Sequence, residues 1–445
     1  MKFKKQLINM QIKETIKLII RRFHESELLG IVSRNLVLPI NSNKIISLVG
    51  VRRCGKTYLL YDTILKLQKM EIPLKNILFI NFEDERLQLK TDDLDYILQA
   101  WRELHGGEDI SQHYFFFDEI QNIEGWEKFI RRIYDIETKN IFITGSNSLF
   151  LAMDIATSLR GRTLTYEIFP FAYDEVLKFK NIATDYYSEK NRAILLNNLS
   201  DYLLNGGFPE TINESPIKKT EILRNYFYVM LYKDLIERYK ITSFTVLKYF
   251  IEKLADNLTK SFSINKIYNS LRSQGIKMDK NLLYELIVYV NNVYLSLSIQ
   301  KYDTSISKRS KSDNKAYFID NGLWNVISTD YSENKGKLLE NAVFLFLRKT
   351  YGDLYENNIY YFNDKYECDF VILQSKKIAF CIQVCYDLSD EETKNREIRG
   401  LLHALHYFNH QIGYIVTAEH EDKLTIDNKT IHIVSAYKLF IDNKL

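Results

Sequence analysis

Short apolar runs alternate with segments of helical periodicity over the first 170 residues of the chain. Five runs predict buried strands, at 45–49, 77–81, 114–119, 141–146 and 164–168. Amphipathic patterns predict helices between these runs, at 58–65, 94–104 and 126–136. Apolar strands that are separated by helices predict a parallel sheet with helices on both faces.

The pattern becomes mainly helical after Pro170. Helical periodicity covers 174–179, 193–204 and 222–239, and the glycines and proline at 206–209 break the last two apart. Residues 244–330 predict two helices around a turn, followed by two strands around a polar loop, which is the pattern of a winged helix-turn-helix. A helix at 337–348 and strands at 359–363, 367–373 and 378–385 then return to an α/β pattern.

Length, charge and cysteine content narrow the class of protein. A chain of 445 residues is too long for one core and predicts about three domains. The formal net charge is only +3, so any affinity for nucleic acid must come from a local basic patch. The four cysteines lack C-x-x-C spacing, which predicts free thiols. With no apolar run of 18 residues and no signal-like N-terminal pattern, we expect a soluble cytoplasmic protein without membrane segments.

The segment 50–57 reads GVRRCGKT and fits the phosphate-binding pattern G-x-x-x-x-G-K-[ST] at every fixed position. It joins a predicted strand to a predicted helix, so backbone N–H groups can surround the phosphates of ATP. Lys56 can reach the β and γ phosphates, and the Thr57 hydroxyl can bind Mg²⁺. We assign nucleotide contacts to Gly50, Val51, Arg52, Arg53, Cys54, Gly55, Lys56, Thr57 and Tyr58.

Two carboxylates, Asp118 and Glu119, end the apolar run that begins at Tyr114. Downstream of a P-loop, this pattern predicts that Asp118 holds the Mg²⁺ shell through water. Glu119 is then expected to orient and polarise the attacking water. The alternative is a strand whose polar end meets solvent, and the phosphate loop upstream favours the catalytic interpretation.

Polar residues at two other predicted strand ends leave alternatives open. Asn81 could hold Glu119 by a hydrogen bond, or could cap a turn. Ser146 and Asn147 could touch the γ-phosphate or the attacking water, or could only cap the strand, and we assign Asn147 a catalytic role.

Two pairs of arginines are candidates for contacts with nucleotide or with a second subunit. Arg160 or Arg162 could reach a neighbouring γ-phosphate as an arginine finger, or could pair with surface carboxylates such as Glu167. Arg52 and Arg53 are unusual within a phosphate loop. They could contact the nucleotide or a partner subunit, or could be solvated only.

Eight short phrases occur along the chain. They are GVRRCGKT (50–57), FFFDEIQN (115–122), ITGSNS (143–148), LRGR (159–162), FPFAYDEVL (169–177), GGFPE (206–210), YFIDNGL (317–323) and GKLLEN (336–341). In this order they resemble a prokaryotic AAA+-type P-loop ATPase family that carries a winged helix and a C-terminal PD-(D/E)xK nuclease-like domain. The resemblance implies ATP binding and hydrolysis, and implies nucleic-acid or regulatory work only loosely.

The patterns and the resemblance together predict an α/β fold in five segments. These are a helical lead-in (1–40), a P-loop AAA+-like core (41–172), a helical lid or linker (173–243), a winged helix-turn-helix (244–333) and a nuclease-like α/β domain (334–445). The core is expected to be a parallel sheet with helices on both faces.

The nuclease-like segment departs from the pattern that metal-dependent cleavage requires. A nuclease of the restriction type needs a helix glutamate, a strand aspartate and an acid-x-lysine pair on the next strand. Glu340 and Asp369 fit the first two positions, but Gln383 replaces the acid and Cys385 replaces the lysine. A neutral amide is a poor Mg²⁺ ligand, so we expect a nuclease fold without nuclease activity.

A basic loop at 301–315 offers the clearest surface for nucleic acid. Its cations are Lys301, Lys308, Arg309, Lys311 and Lys315. A basic wing suits contact with phosphates, although such modules also dock proteins, and a basic loop can be solvated only. DNA, a protein partner and a second copy of the chain all remain open as partners.

Three functions are consistent with these features. In the first, ATP hydrolysis drives or regulates a nucleic-acid transaction, or responds to another partner. In the second, the protein is an ATP-dependent nuclease, against which Gln383 and Cys385 argue. In the third, it is a nucleotide-gated switch or scaffold with little turnover.

Overall fold

The structure, a computed structural model, describes residues 2–28, 30–106, 108–146, 157–329, 334–354 and 356–445. The chain divides into two compact units, Met1–Ile168 and Phe169–Leu445. Across the described ranges, every helix is too short or too polar to cross a membrane. All four cysteines are free and buried.

The described residues of the first unit form a five-stranded parallel sheet. Its strands are β1 (Ile45–Gly50), β2 (Ile77–Asn81), β3 (Tyr114–Asp118), β4 (Ile141–Ser146) and β5 (Thr163–Ile168). Helices α1 (Lys2–Glu25), α2 (Lys56–Lys69), α3 (Asp95–Leu104) and α4 (Trp126–Ile136) accompany them. The strand order is β2-β3-β4-β1-β5, and every pair is parallel. The predicted parallel sheet with intervening helices is therefore confirmed.

Burial of apolar side chains on both faces of this sheet explains its continuous apolar strands. Phe115, Phe116 and Phe117 are fully buried in β3, and burial of one such side chain contributes about 1.5–3 kcal/mol. Helix α4 buries Trp126, Phe129, Ile130 and Ile133, which follow helical spacing. Because all five strands run in one direction, their carboxyl ends meet at one edge of the sheet.

The described residues of the second unit form a nine-stranded mixed sheet. Its strands are β6 (Ser261–Phe262), β7 (Ser296–Lys301), β8 (Asn314–Phe318), β9 (Ile359–Asn363), β10 (Glu367–Gln374), β11 (Lys377–Val384), β12 (Ile412–Thr417), β13 (Asp422–Ile426) and β14 (Lys429–Ser435). The order is β13-β14-β12-β11-β10-β9-β7-β8-β6.

The described helices of the second unit are more numerous than those that the periodicity of the sequence predicts. They are α5 (Tyr173–Phe179), α6 (Glu189–Asn205), α7 (Pro216–Val229), α8 (Phe244–Asp256), α9 (Ile264–Ser273), α10 (Lys280–Asn292), α11 (Ile306–Lys311), α12 (Asn321–Ile327), α13 (Lys335–Tyr351), α14 (Glu391–Tyr407) and α15 (Ala436–Asp442). After α7 the chain continues as a π-helix, Met230–Glu237.

One sheet spans the two C-terminal segments that the sequence predicts as separate domains. Strand β7 of the predicted winged helix pairs in parallel with β9 of the predicted nuclease-like segment, with Gln300 opposite Tyr360. The boundary at 333/334 stays a prediction, but the backbones on its two sides share one hydrogen-bonded ladder.

Three of the short phrases of the second unit, GGFPE, YFIDNGL and GKLLEN, meet in a buried polar network. Asp320 accepts hydrogen bonds from the Gly207 N–H (2.6 Å) and the Leu323 N–H (2.9 Å), and burial raises the pKa of its carboxyl to about 6. Gly206 has a φ of 74°, and a Cβ there would overlap the Asp320 carboxylate. Residues 206–210 and 317–323 therefore contact each other directly.

Asn341, in the third phrase, completes this network from helix α13. Its side chain accepts from the Phe318 N–H (2.8 Å) and donates to the Phe318 carbonyl (3.0 Å) and to the Asn321 side-chain oxygen (2.8 Å). Asn321 in turn donates to the carbonyls of Leu203 and Leu338. These motif residues hold the fold together.

Replacing Asn341 by alanine is expected to destabilise the second unit strongly. The change leaves a buried N–H and two buried oxygens without their partner, at a cost of about 3–5 kcal/mol. The midpoint of thermal unfolding should fall by about 10 °C. Asn395→Ala, at an exposed position on α14, is the matched control and should shift it by less than about 2 °C. Equal midpoints for the two variants would show that the network does not stabilise the unit.

Candidate functional site

The loop at 50–57 connects β1 to the N-terminus of α2, as the sequence predicts. Gly50 has a φ of 151°, and a Cβ there would overlap the Ile168 carbonyl oxygen of the adjacent β5. Gly55 precedes α2 with a left-handed φ of 96°. The two glycines therefore allow the tight path of a phosphate loop, in which the following backbone N–H groups can bind an anion.

Lys56 holds its ammonium inside this loop. The side chain is 4% exposed, and Nζ donates to the carbonyls of Gly50 and Val51, both at 3.1 Å. The nearest Glu119 oxygen lies 3.9 Å from Nζ. A buried ammonium that is bonded mainly to carbonyls retains positive charge for an anionic ligand.

Thr57 and Asp118 lie side by side at the carboxyl edge of the sheet. The Thr57 hydroxyl donates to Asp118 Oδ2 at 2.8 Å, and the Thr144 hydroxyl of β4 donates to Asp118 Oδ1 at 2.6 Å. The pKa of Asp118 is raised to about 6, because burial and the charge of Glu119 outweigh the lowering effect of the two threonine hydrogen bonds. A carboxylate in this position gains from a divalent counter-charge, so the pair fits a Mg²⁺ site.

Glu119 lies just outside strand β3, although the sequence pattern placed it in the strand. Its φ of 54° is left-handed, so the backbone leaves the extended conformation of the strand at this residue. The Glu119 N–H donates to the Thr144 hydroxyl at 2.9 Å, and Gln121 Nε2 donates to Glu119 Oε2 at 2.6 Å. Asn81 accepts from the Glu83 N–H at 2.8 Å and so caps a turn, which was the second of its two interpretations.

The candidate arginines lie in different surroundings. Arg162 makes a bidentate pair with Asp135 at 3.0 and 3.2 Å, whereas Arg160 is exposed. Arg52 pairs with Glu83 at 3.1 Å, and Arg53 is exposed with a φ of 65°.

The other assigned residues of this region differ in how far the structure describes them. Cys54 is buried and Tyr58 is exposed. Asn147 lies outside the described residues, so its catalytic assignment stays a prediction. The roles of the arginines also stay predictions.

Two residues of the site were missed by sequence reasoning. Arg34 is buried and donates to the Cys54 carbonyl at 3.0 Å, which supports the back of the phosphate loop. Thr144 connects Asp118 to Glu119 from the neighbouring strand. A hydroxyl within the otherwise apolar run of β4 was the only signal for Thr144, and no local pattern marks Arg34.

A second charged cluster brings together Glu340 and Asp369, as the sequence suggested. The ammonium of Lys315 lies 3.4 Å from Glu340 Oε1, 3.1 Å from Asp369 Oδ1 and 2.6 Å from Glu367 Oε1. The prediction that Lys315 belongs to a basic surface loop is therefore wrong. Strand β8 begins at Asn314, which carries Lys315 into the sheet with 1% exposure.

Gln383 and Cys385 are occupied by other contacts. Gln383 Nε2 donates to Glu397 at 2.5 Å, and its oxygen accepts from the Asp369 N–H at 3.2 Å. The Cys385 thiol donates to the Asp387 carbonyl, and burial raises its pKa to about 11. Throughout the residues that the structure covers, no three His, Cys, Asp or Glu side chains are placed to hold a metal ion. A nuclease metal does not fit this cluster.

The remaining cations of the basic loop are not equally available. Lys308 is exposed on α11, but Arg309 donates to the Tyr360 hydroxyl at 3.0 Å and lies over its ring. Lys301 ends β7 and is half-buried. The Lys311 side chain lies outside the described part of the structure. Among the described side chains, fewer cations of the loop are exposed than the sequence indicated.

The parallel sheet, its phosphate loop and the Thr57–Asp118 pair define a P-loop domain of the AAA type. Residues 42–177 match the family model described as AAA domain. Residues 196–333 and 335–439 match two domains of unknown function, DUF8612 and DUF4143.

Two relatives match almost the whole chain. The uncharacterized protein MJ1544 of Methanocaldococcus jannaschii is 38% identical over 92% of this chain and 90% of its own length. An uncharacterized protein of Haemophilus influenzae is 29% identical over 88% of this chain and 93% of its own length. The chain belongs to the same family as MJ1544.

Solved structures show weaker similarity. AMPPCP-bound DnaA from Aquifex aeolicus is 16% identical with a TM-score of 0.22, covering 62% of this chain and 86% of that one. Drosophila ORC bound to GC-rich DNA and Cdc6 is 9% identical with a TM-score of 0.19, covering 72% and 94%. Scores this low do not establish a shared overall fold.

Proposed function

We propose that the protein is an ATP-binding and hydrolysing AAA+-like ATPase that couples its nucleotide state to the binding of DNA or a protein partner. The arrangement of Thr57 and Asp118, 2.8 Å apart beside the buried Lys56, carries the proposal. It provides the cation, the hydroxyl and the carboxylate that a nucleotide with Mg²⁺ requires at the end of a phosphate loop. The match of residues 42–177 to an AAA domain supports it.

Each residue has a distinct task in this proposal. Lys56 would exchange the carbonyls of Gly50 and Val51 for phosphate oxygens. Thr57 and Asp118 would hold Mg²⁺, which would supply positive charge to neutralise the phosphates. Glu119 accepts a hydrogen bond from the attacking water and aligns it with the γ-phosphate. Arg160 is the better candidate for a finger toward a second subunit, because Arg162 is paired with Asp135.

DNA is the partner class that the exposed charges of the second unit favour. Lys266, Arg272 and Lys277 are exposed on and after α9, at the predicted helix-turn-helix, and Lys308 is exposed on α11. Cations in such positions suit contact with phosphates. Several contacts of this kind together make an affinity that falls steeply with salt.

Steady-state ATP hydrolysis with and without duplex DNA tests this proposal. We expect DNA to raise the rate several-fold at low salt, and the charge reversals Arg272→Glu and Lys277→Glu to reduce that stimulation without changing the basal rate. The DNA in the same tubes should remain without nicks. A basal rate that DNA does not change would point to a protein partner, and no hydrolysis at all would favour a nucleotide-gated scaffold.

A further inference from the structure

A buried ammonium lies among the carboxylates that resemble a nuclease site. Lys315 Nζ is within 3.4 Å of an oxygen from each of Glu340, Glu367 and Asp369. The lysine comes from β8, whereas the carboxylates come from α13 and β10. One cation therefore joins three elements that are distant in sequence.

Other groups also donate hydrogen bonds to these carboxylates. The Tyr317 hydroxyl donates to Glu340 Oε1 at 2.9 Å, and the Val384 N–H donates to Asp369 Oδ2 at 2.9 Å. Asn363 Nδ2 donates to Glu367 Oε2 at 3.0 Å. Each of these donors uses a lone pair that could otherwise bind a metal ion.

Gln383, which stands where a nuclease has an acid, is also held by hydrogen bonds to other groups of the protein. Gln383 is held between the Asp369 N–H and Glu397, and the guanidinium of Arg396 pairs with the other Glu397 oxygen at 2.7 Å. A neutral amide that is fixed in this way adds no negative charge toward a cation. The amide position is therefore occupied by the protein's own groups.

We propose that Lys315 is an internal counter-ion that takes the role of the divalent cation in this nuclease-like site, and that the closed cluster fastens β8 to α13 and β10. Burial alone would lower the pKa of Lys315, but the surrounding negative groups, Glu340 foremost, outweigh it and hold the pKa well above its usual value. These neighbours therefore favour the charged form of the ammonium. Removing it would leave buried carboxylates uncompensated.

The competing interpretation is that Lys315 supplies the ammonium of an active nuclease from an unusual strand. An active site must admit a phosphodiester and a metal ion, whereas Lys315 is 1% exposed and is bonded to three carboxylates. These contacts favour a structural role, and a direct assay separates the two.

The first experiment compares Mn²⁺ binding by the wild type and Asp369→Asn, without nucleotide, by the electron paramagnetic resonance signal of free Mn²⁺. Any ion held near Asp118 contributes equally to both proteins. We expect the same number of bound ions. One ion bound by the wild type and lost in Asp369→Asn would overturn the proposal. No Lys315 variant is needed, so the test does not depend on the folding of one.

The second experiment removes the ammonium. Lys315→Ala is expected to lower the midpoint of thermal unfolding by about 10 °C, and millimolar Ca²⁺ should recover part of this loss by taking the vacated position. Lys377→Ala, at an exposed lysine of β11, is the control and should show neither effect. A Lys315→Ala protein as stable as this control would refute the proposal.

An assay of DNA cleavage with Mn²⁺ and without ATP completes the test. We expect no nicks from the wild type. Cleavage that disappears in both Lys315→Ala and Asp369→Asn would make Lys315 a catalytic residue and overturn the proposal. Because ATP is absent, the result is independent of whether the P-loop hydrolyses nucleotide.

Discussion

Replacing Glu119 by glutamine is expected to lower the rate of ATP hydrolysis by about 10²–10⁴-fold while ATP binding stays close to that of the wild type. Glutamine keeps the shape of the side chain but cannot polarise a water molecule as a carboxylate does. Lys56 and Thr57, which are proposed to contact phosphate and Mg²⁺, are unchanged. Phosphate release and the affinity for a fluorescent ATP analogue measure the two effects separately.

A matched control for this variant is Glu124→Gln, at an exposed glutamate in the same loop region. It should hydrolyse ATP at the wild-type rate. If Glu119→Gln and Glu124→Gln turned over ATP equally, Glu119 would not prepare the attacking water. A loss of both hydrolysis and binding in Glu119→Gln would instead indicate that the variant has disturbed the loop.

Replacing Lys56 by alanine is expected to weaken ATP binding by about 100-fold or more, and to abolish hydrolysis with it. The buried ammonium is the main positive charge that the described phosphate loop directs inward, and a charge-assisted hydrogen bond to phosphate contributes about 3 kcal/mol. Equilibrium titration with labelled ATP measures the change in Kd.

Lys69→Ala provides the comparison, because Lys69 is exposed near the end of the same helix, α2. Its Kd should match that of the wild type. Thermal unfolding of both variants without nucleotide shows whether any loss of binding reflects misfolding. An unchanged Kd in a folded Lys56→Ala protein would contradict the assignment of the phosphate loop.

The strands of the first unit were predictable because buried strands have a recognisable amino-acid composition. A strand that is covered on both faces reads as a continuous apolar run, as Phe115 to Phe117 do. The left-handed turn at Glu119 was not predictable, since a non-glycine residue with positive φ has no sequence signal of its own. The side-chain amide that donates a hydrogen bond to Glu119 likewise belongs to Gln121, only two residues away, and not to Asn81.

Lys315 shows where prediction from the local sequence pattern fails. The run from Lys308 to Lys315 is polar, so its pattern predicts a solvent-exposed loop. Glu340 and Asp369 compensate the charge of the buried Lys315, and they are 25 and 54 positions away from it along the chain. Pairing across such distances depends on the fold, which periodicity does not report.

The phrases of the second unit were recognisable as a resemblance, but their purpose was not. Asp320 and Gly207 are 113 residues apart and meet through a single carboxylate. Because the two motifs are so far apart along the chain, their spacing in the sequence does not predict that they meet in the fold. In the fold, these residues form a buried structural network.

The pairing of β7 with β9 has a consequence for how the polypeptide can be divided. A cut near residue 334, where two of the family matches meet, would separate these strands and leave each fragment with an unpaired backbone edge that favours aggregation. The same cut would part Lys315 from its carboxylates and Asn321 from Asn341. The segments on the two sides of residue 334 are therefore expected to be inherited together as one module. Either segment alone would expose an unpaired strand edge and buried polar groups without their partners.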